Sequence, residues 1–221
     1  RQKIFIYEND SIDDTKQQLN DLKSENIEVL SVDEKAPYLT DASFTRTNNL
    51  ARYRNECLEW VKRECRDFDY TIVLDLDADL GFSVDGIYNS IGWLYEISDA
   101  GGMGSYSLYL TVQNESVEFA HYDSFATRLN DWEKTIDEKD VNNIWFRNLH
   151  PLVGSDPIRM YSCFGGLCVY RTEAFVSGMY DGSLGSEHVY FHKLLREKGF
   201  NMYLNPSSRF FSVYKRKSTN E

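Results

Sequence analysis

Residues 71–79 read TIVLDLDAD, and the reading of this stretch decides the fold. Thr71 to Leu74 is β-branched and apolar and is bounded by Asp69 and Asp75, the pattern of a central parallel strand covered on both faces. Alternate side chains leave a strand on one side, so Asp75, Asp77 and Asp79 are expected together at its carboxyl edge, where open α/β sheets bind ligands. Carboxylates gathered there repel one another: a like pair about 4 Å apart costs roughly 4 kcal/mol at an effective dielectric of about 20. A divalent cation relieves that repulsion.

Working outward, Lys3 to Tyr7 is a short apolar strand running into the polar cluster Glu8, Asn9, Asp10, Ser11. Ser11 with Asp14 reads as a capping box, and Leu19 and Leu22 give a helix ending near Asn26. Ile27 to Val32 is a second strand, completing a parallel crossover unit. From Thr45 to Cys65, Leu50, Tyr53, Cys57, Leu58 and Val61 recur at helical spacing, with Arg52 and Arg54 largely off that stripe. Val84, Ile87, Ile91 and Leu94 predict a helix, and Tyr106, Leu108, Leu110 and Val112 a strand. Residues 113–160 carry polar clusters, Trp132, Trp145 and His150, and suit a loop-rich face over a site. A strand at Leu167 to Tyr170, a helix from Ser186 to Lys198 stopped by Gly199, and a strand near Asn201 to Leu204 complete the chain. The expected fold is a single α/β domain, with a central mostly parallel sheet flanked by helices.

Composition narrows the function. The chain has 221 residues, 42% hydrophobic, and neither a repeat nor a biased tract, which fits a folded globular domain rather than a disordered or fibrous one. Twenty-four basic against thirty-five acidic residues give a net charge of −11, a poor match for nucleic acid, whose binding depends on cationic groups displacing counterions. No apolar run reaches the length of a membrane helix, and RQKIFIYEND is strand-like rather than signal-like, so a cytoplasmic protein is expected. Cys57, Cys65, Cys163 and Cys168 form no CxxC pair, and reduced thiols are the expected state.

Four readings compete for the aspartate string. A calcium-binding EF-hand loop starting at Asp75 needs Gly at its sixth position and Glu at its twelfth, which here are Leu80 and Gly86. Solvated acids at a strand end are common loop chemistry. An apolar strand followed by Asp75-x-Asp77 resembles haloacid-dehalogenase-type phosphatases, but Asp79 stands where that family has Thr or Val. The fourth resemblance is to nucleotide-sugar-dependent glycosyltransferases of the GT-A fold. IFIYENDSIDDT is similar to that family's opening strand and loop, RTNNLARYRNECLEW to the helix bearing "aRN", and FGGLCVYRTEAF to its acceptor-side glycine segment. SEHVYFHKLLREKGF is similar to the helix that opens with an E-D pair in inverting members, and NMYLNP to the strand after it. These segments stand in order across residues 3–206, and the overall character is similar to glycosyltransferase domains of large chlorella viruses, which implies a capsid glycoprotein acceptor in host cytoplasm.

The resemblance implies a nucleotide-sugar-binding half over about 1–112 and an acceptor-binding half over about 113–221. It implies Asp75 and Asp77 as the DxD pair holding Mn²⁺ or Mg²⁺, with Asp79 a possible third ligand, and a UDP-sugar donor, GDP-sugar being the other option. Tyr7 and Glu8 then border the uracil or ribose. Asp33 accepts a hydrogen bond from base or ribose, or is a plain turn residue. Arg52 and Arg54 contact base or phosphate, or line a solvated helix face. Glu187 is the leading general base for an inverting transfer, its carboxylate favoured by the helix dipole, and His188, where many relatives have Asp, is the other candidate. Gly165 and Gly166 permit close backbone approach to a sugar or form a simple turn. Trp145, Tyr161 and Phe164 offer flat faces to the acceptor or fill the core. His121, His150 and His192 have weak claims as extra ligands. A metal-dependent carbohydrate-binding module without catalysis is a further alternative.

Overall fold

The computed structural model describes residues 1–35, 43–76, 80–113, 116–121, 123, 125–129, 149–183 and 185–214. Asp77, Asp79, Trp132 and Trp145 lie outside the described residues. The chain runs β1 (Ile4–Asn9), α1 (Thr15–Asp21), β2 (Ile27–Val32), α2 (Phe44–Glu64), β3 (Tyr70–Leu74), β4 (Gly81–Phe82), α3 (Val84–Glu96), β5 (Ala100–Gln113) and β6 (Ser116–His121). It continues through β7 (Ile158–Met160), β8 (Leu167–Arg171), α4 (Thr172–Phe175), α5 (Glu187–Glu197) and β9 (Asn201–Tyr214). β1 and β2 pair in parallel, as the crossover reading requires. The main sheet has the order β3-β8-β5-β9-β4, with β6 added to β5 and β7 to β9.

That sheet is mixed, and here the expectation of a mostly parallel one is corrected. β5 and β9 are parallel, but β3 pairs antiparallel with β8, and β8 antiparallel with β5. β3 also ends the strand order instead of sitting centrally, and Ile72 is 47% exposed. An apolar run says nothing about the direction of a strand's neighbours, and here it overstates how far the two faces are covered.

β8 is the strand buried on both faces. Leu167 and Val169 join Leu94, Ala100, Met103 and Phe210 in a cluster with Ile87 and Ile91 of α3 packed against it, whereas Cys168 and Tyr170 join Leu58, Phe191 and Leu195 from α2 and α5. The period of two along one strand thus builds both cores.

α1 is shorter than expected, and its N-cap, Asp14, makes no side-chain cap bond. The Ser11 N–H instead donates to Glu8 Oε1 at 2.8 Å, so the apparent capping box closes the loop after β1. β9 is much longer than its apolar start suggests: its register against β5 shifts between Ser105 and Tyr106 and then continues. Cys57, Cys65, Cys163 and Cys168 are unpaired thiols. Among the described residues no helix is long and apolar enough to cross a membrane.

Candidate active site

The site begins with strand register. Antiparallel pairing of Leu74 with Leu167 brings the residues after β3 alongside those before β8, and the Asp75 N–H donates to Gly166 O at 2.8 Å. Gly165 and Gly166 have φ of +69° and +75°. A Cβ on Gly165 would lie 1.9 Å from Ser105 O, and one on Gly166 would lie 2.3 Å from the Phe210 ring. Only glycine fits both the backbone and the space. Turned in this way, the Gly165 N–H donates to Asp123 Oδ2 at 2.7 Å. The glycine pair is therefore a backbone hub joining Asp75 to Asp123.

Arg54 crosses to this hub from α2. Its Nε donates to Glu187 Oε1 and its Nη2 to Asp75 Oδ1, each at 2.9 Å, while the guanidinium carbon lies 4.9 Å from the Phe164 ring centroid. Glu187 occupies the first turn of α5 and is 3% exposed. Asn55, next to Arg54, clamps the segment leading to α5: its side chain donates to Tyr180 O at 2.9 Å and accepts from Tyr180 N at 3.0 Å. Thr47 Oγ1 adds a bond to Gly182 O at 2.7 Å. The polar face of α2 thus aims Glu187.

His188 is also 3% exposed; it stacks on Phe164 with centroids 3.9 Å apart, and its Nε2 lies 3.6 Å from Glu187 Oε1. Both ring nitrogens lack a hydrogen-bond partner among the described residues. Burial, with Arg54 and His192 adding to it, drives its imidazole well below the ordinary range, so the ring is neutral. Phe164 is buried between these contacts and belongs to the core rather than to an acceptor surface. Tyr161 lies under the Arg196 guanidinium, 4.3 Å from ring centroid to carbon.

Carboxylates outnumber cations at the hub. Burial pushes the Asp123 carboxyl up to about 7, with Asp75 and Glu187 adding to the rise and the Gly165 N–H and Arg54 opposing it. Burial raises Asp75 as well, against the pull of Arg54. Among the described residues no group of three or more His, Cys, Asp or Glu side chains is arranged to hold a metal ion, and Asp77 and Asp79 lie outside them.

A second polar group stands at the carboxyl ends of β1 and β2. Tyr7 stacks on Tyr53 with centroids 5.1 Å apart and donates its hydroxyl to Glu34 Oε1 at 3.0 Å. Arg52 forks both oxygens of Glu34 and lies 4.8 Å from the Tyr53 ring centroid. Glu8 accepts from the Ser11 N–H and the Ser31 hydroxyl; burial pushes its carboxyl up, but these bonds prevail and hold it below the ordinary range. Asp33 is exposed and paired with Lys16. The structure therefore gathers Asp75, Arg54, Gly165, Gly166, Glu187 and His188 at one point. Tyr7, Glu8, Asp33 and Arg52 stand at another, and α2 serves both. Asp123, Glu34 and Asn55 are the members that sequence reasoning missed.

The remaining histidines are bonded to other partners away from the hub. His121 places Nδ1 3.0 Å from Ser107 O and Nε2 3.1 Å from Thr127 Oγ1. His192 uses both nitrogens on Ser162 and Tyr170, and His150 Nδ1 meets the Tyr106 hydroxyl at 3.0 Å. Burial lowers His121 to about 4 and His192 to about 3. Below pH ~6.5 the unfolded chain takes up these protons first, so each histidine's stabilisation is complete above that pH and falls by about 1.4 kcal/mol per unit as the pH drops. Asp123, raised in the fold, has the opposite sign between about 7 and 4 and cancels one of the two. His188 and Asp75 shift in mutually opposing senses. Denaturant titrations at pH 6.5 and 4.5, a window above the ordinary carboxylate range, are expected to show a net loss of stability as the pH falls, with His121, His192 and His188 on that side and Asp123 and Asp75 opposing them. In His121→Gln the loss over that interval is expected to be about 2 kcal/mol smaller than in the parent, and an equal loss would contradict the burial of that ring.

No protein-family model matches the sequence, and no curated protein sequence matches it. Solved structures do. The chain is similar to the crystal structure of GalNAc-T7 with UDP, GalNAc and Mn²⁺, with a TM-score of 0.60 at 15% sequence identity. The match covers 97% of this chain and 38% of that one. The chain has a GT-A-like fold. Within the GT-A-like fold, the hub at the end of β3 is the point where a strand terminus, a glycine turn and a helix N-terminus converge.

Proposed function

We propose that the chain is a metal-dependent glycosyltransferase that moves a sugar from a nucleotide donor, a UDP-sugar before a GDP-sugar, to a glycan or glycoprotein acceptor. The observation that carries this reading is the meeting of Asp75 and Glu187 on the two arms of Arg54, beside a glycine turn that also holds Asp123. It joins the end of the aspartate-bearing strand to the candidate base. The resemblance of five sequence segments and the GT-A-like fold of GalNAc-T7, bound to UDP and Mn²⁺, support the same reading.

A divalent cation suits the donor chemistry of the hub. Carboxylate oxygens are hard ligands; Asp75 and Glu187 share one guanidinium, and Asp123 stands beside them on the Gly165 N–H. Asp75, Asp77 and Asp79 would hold Mn²⁺ or Mg²⁺. When bound, the ion supplies positive charge to a diphosphate leaving group that this acidic chain does not otherwise neutralise. Tyr7, Glu8, Asp33 and Arg52 border the nucleoside. Glu187 takes the acceptor hydroxyl proton as that oxygen attacks the anomeric carbon from the face opposite the nucleotide, which inverts the configuration. Neutral His188 is the second candidate for that proton.

A panel of nucleotide sugars, incubated with and without Mn²⁺, tests the proposal. Release of UDP or GDP that depends on Mn²⁺ and stops with chelator is the expected result. Turnover of a simple phosphomonoester with none of any nucleotide sugar would favour a phosphatase, and sugar binding without turnover would favour a carbohydrate-binding module.

A further inference from the structure

We infer that Arg54 is a positioning residue that couples cation binding at Asp75 to the placement of Glu187; this rests on the metal-dependent reading above. The guanidinium carries a different donor to each carboxylate, both at 2.9 Å, and its side chain is only 16% exposed. With both arms committed and its carbon 4.9 Å from the Phe164 ring centroid, it is not poised for a nucleotide phosphate. Its fixed charge lies against the carboxylate that a cation at the strand end must use. An arriving cation therefore competes with the Nη2 arm for Asp75, and the guanidinium is left to hold Glu187 through Nε. In the resting protein the guanidinium offsets part of the charge of Asp75, Glu187 and Asp123 and so holds the hub together. Arg54 thus weakens metal binding on its own and ties the state of the metal position to that of the base. A planar fork with separate donors does this, and an ammonium cannot.

The test measures Mn²⁺ uptake by the full chain from the free-ion EPR signal, with and without UDP, alongside steady-state kinetics of donor turnover. Removing the positive charge in Arg54→Gln is expected to tighten Mn²⁺ binding about ten-fold. The same substitution is expected to lower kcat about 100-fold or more, with the donor KM within about three-fold. Arg54→Lys keeps a charge near Asp75 without the fork, so Mn²⁺ affinity should stay within about two-fold of the parent while kcat falls at least ten-fold. A merely structural residue would not move affinity and turnover in opposite senses. Unchanged or weaker Mn²⁺ binding in Arg54→Gln, with a parent that does bind the ion, overturns the inference and leaves the functional reading standing. If Arg54→Gln does not fold, Arg54→Lys decides: parental kcat overturns the inference, and lowered kcat at unchanged Mn²⁺ affinity supports it. A parent that takes up no Mn²⁺ even with UDP overturns both.

Discussion

Asp77→Ala is expected to lower metal-dependent donor turnover by on the order of 10³-fold or more, because a direct metal ligand supports several kcal/mol of leaving-group stabilisation. Its fold should survive. Removing one member of an acidic string relieves repulsion around Asp75, so stability is expected to change by no more than about 1 kcal/mol. Turnover with a saturating UDP-sugar across a Mn²⁺ titration, paired with a urea melt, separates the two effects. Parental turnover in a folded Asp77→Ala protein would remove the metal assignment, whatever the fate of the rest of the site.

Glu187→Gln is expected to slow transfer by about 10² to 10⁴-fold, the usual worth of a positioned general base. Nucleotide affinity should remain within about two-fold, since base and nucleotide meet different residues. The amide keeps the shape of the side chain but removes one of the two charges paired with Arg54, and about 1–3 kcal/mol of stability is expected to go with it. Kinetics should therefore be read well below the melting temperature. NMR assignment of the anomeric configuration in the parent's product completes the test: retention would remove the inverting role of Glu187. Equal loss of transfer and of UDP binding in the variant would make Glu187 a purely structural partner of Arg54.

Local pattern carried much of the fold. Short apolar runs marked β2, β3 and β8, and helical spacing marked α2, α3 and α5 within a residue or two of their observed limits. Pairing direction was not legible, because it depends on which distant strand arrives alongside, and Leu74 meets a residue far along the chain in Leu167. The candidate site divides along the same line. Asp75 and Glu187 were readable because each sits at an element end with a defined periodicity. Asp123 was not: a single aspartate in an aperiodic loop looks like turn chemistry, and only its bond to Gly165, 42 residues away, sets it apart. Arg54 was readable as a candidate but not as a bridge, since its two partners come from β3 and α5. The glycine pair was noticed for sugar access, yet its observed task is to orient a carbonyl and an N–H toward two aspartates.

Both cores line up on β8, and the first bond beyond its pairing with β3 is the one that seats Asp75. A slip of one residue there would exchange the inward and outward faces of β8 and at the same moment detach the Gly166 carbonyl from its aspartate. Misregistered copies would thus lose the hub together with their stability, so the core and the candidate site share a single checkpoint.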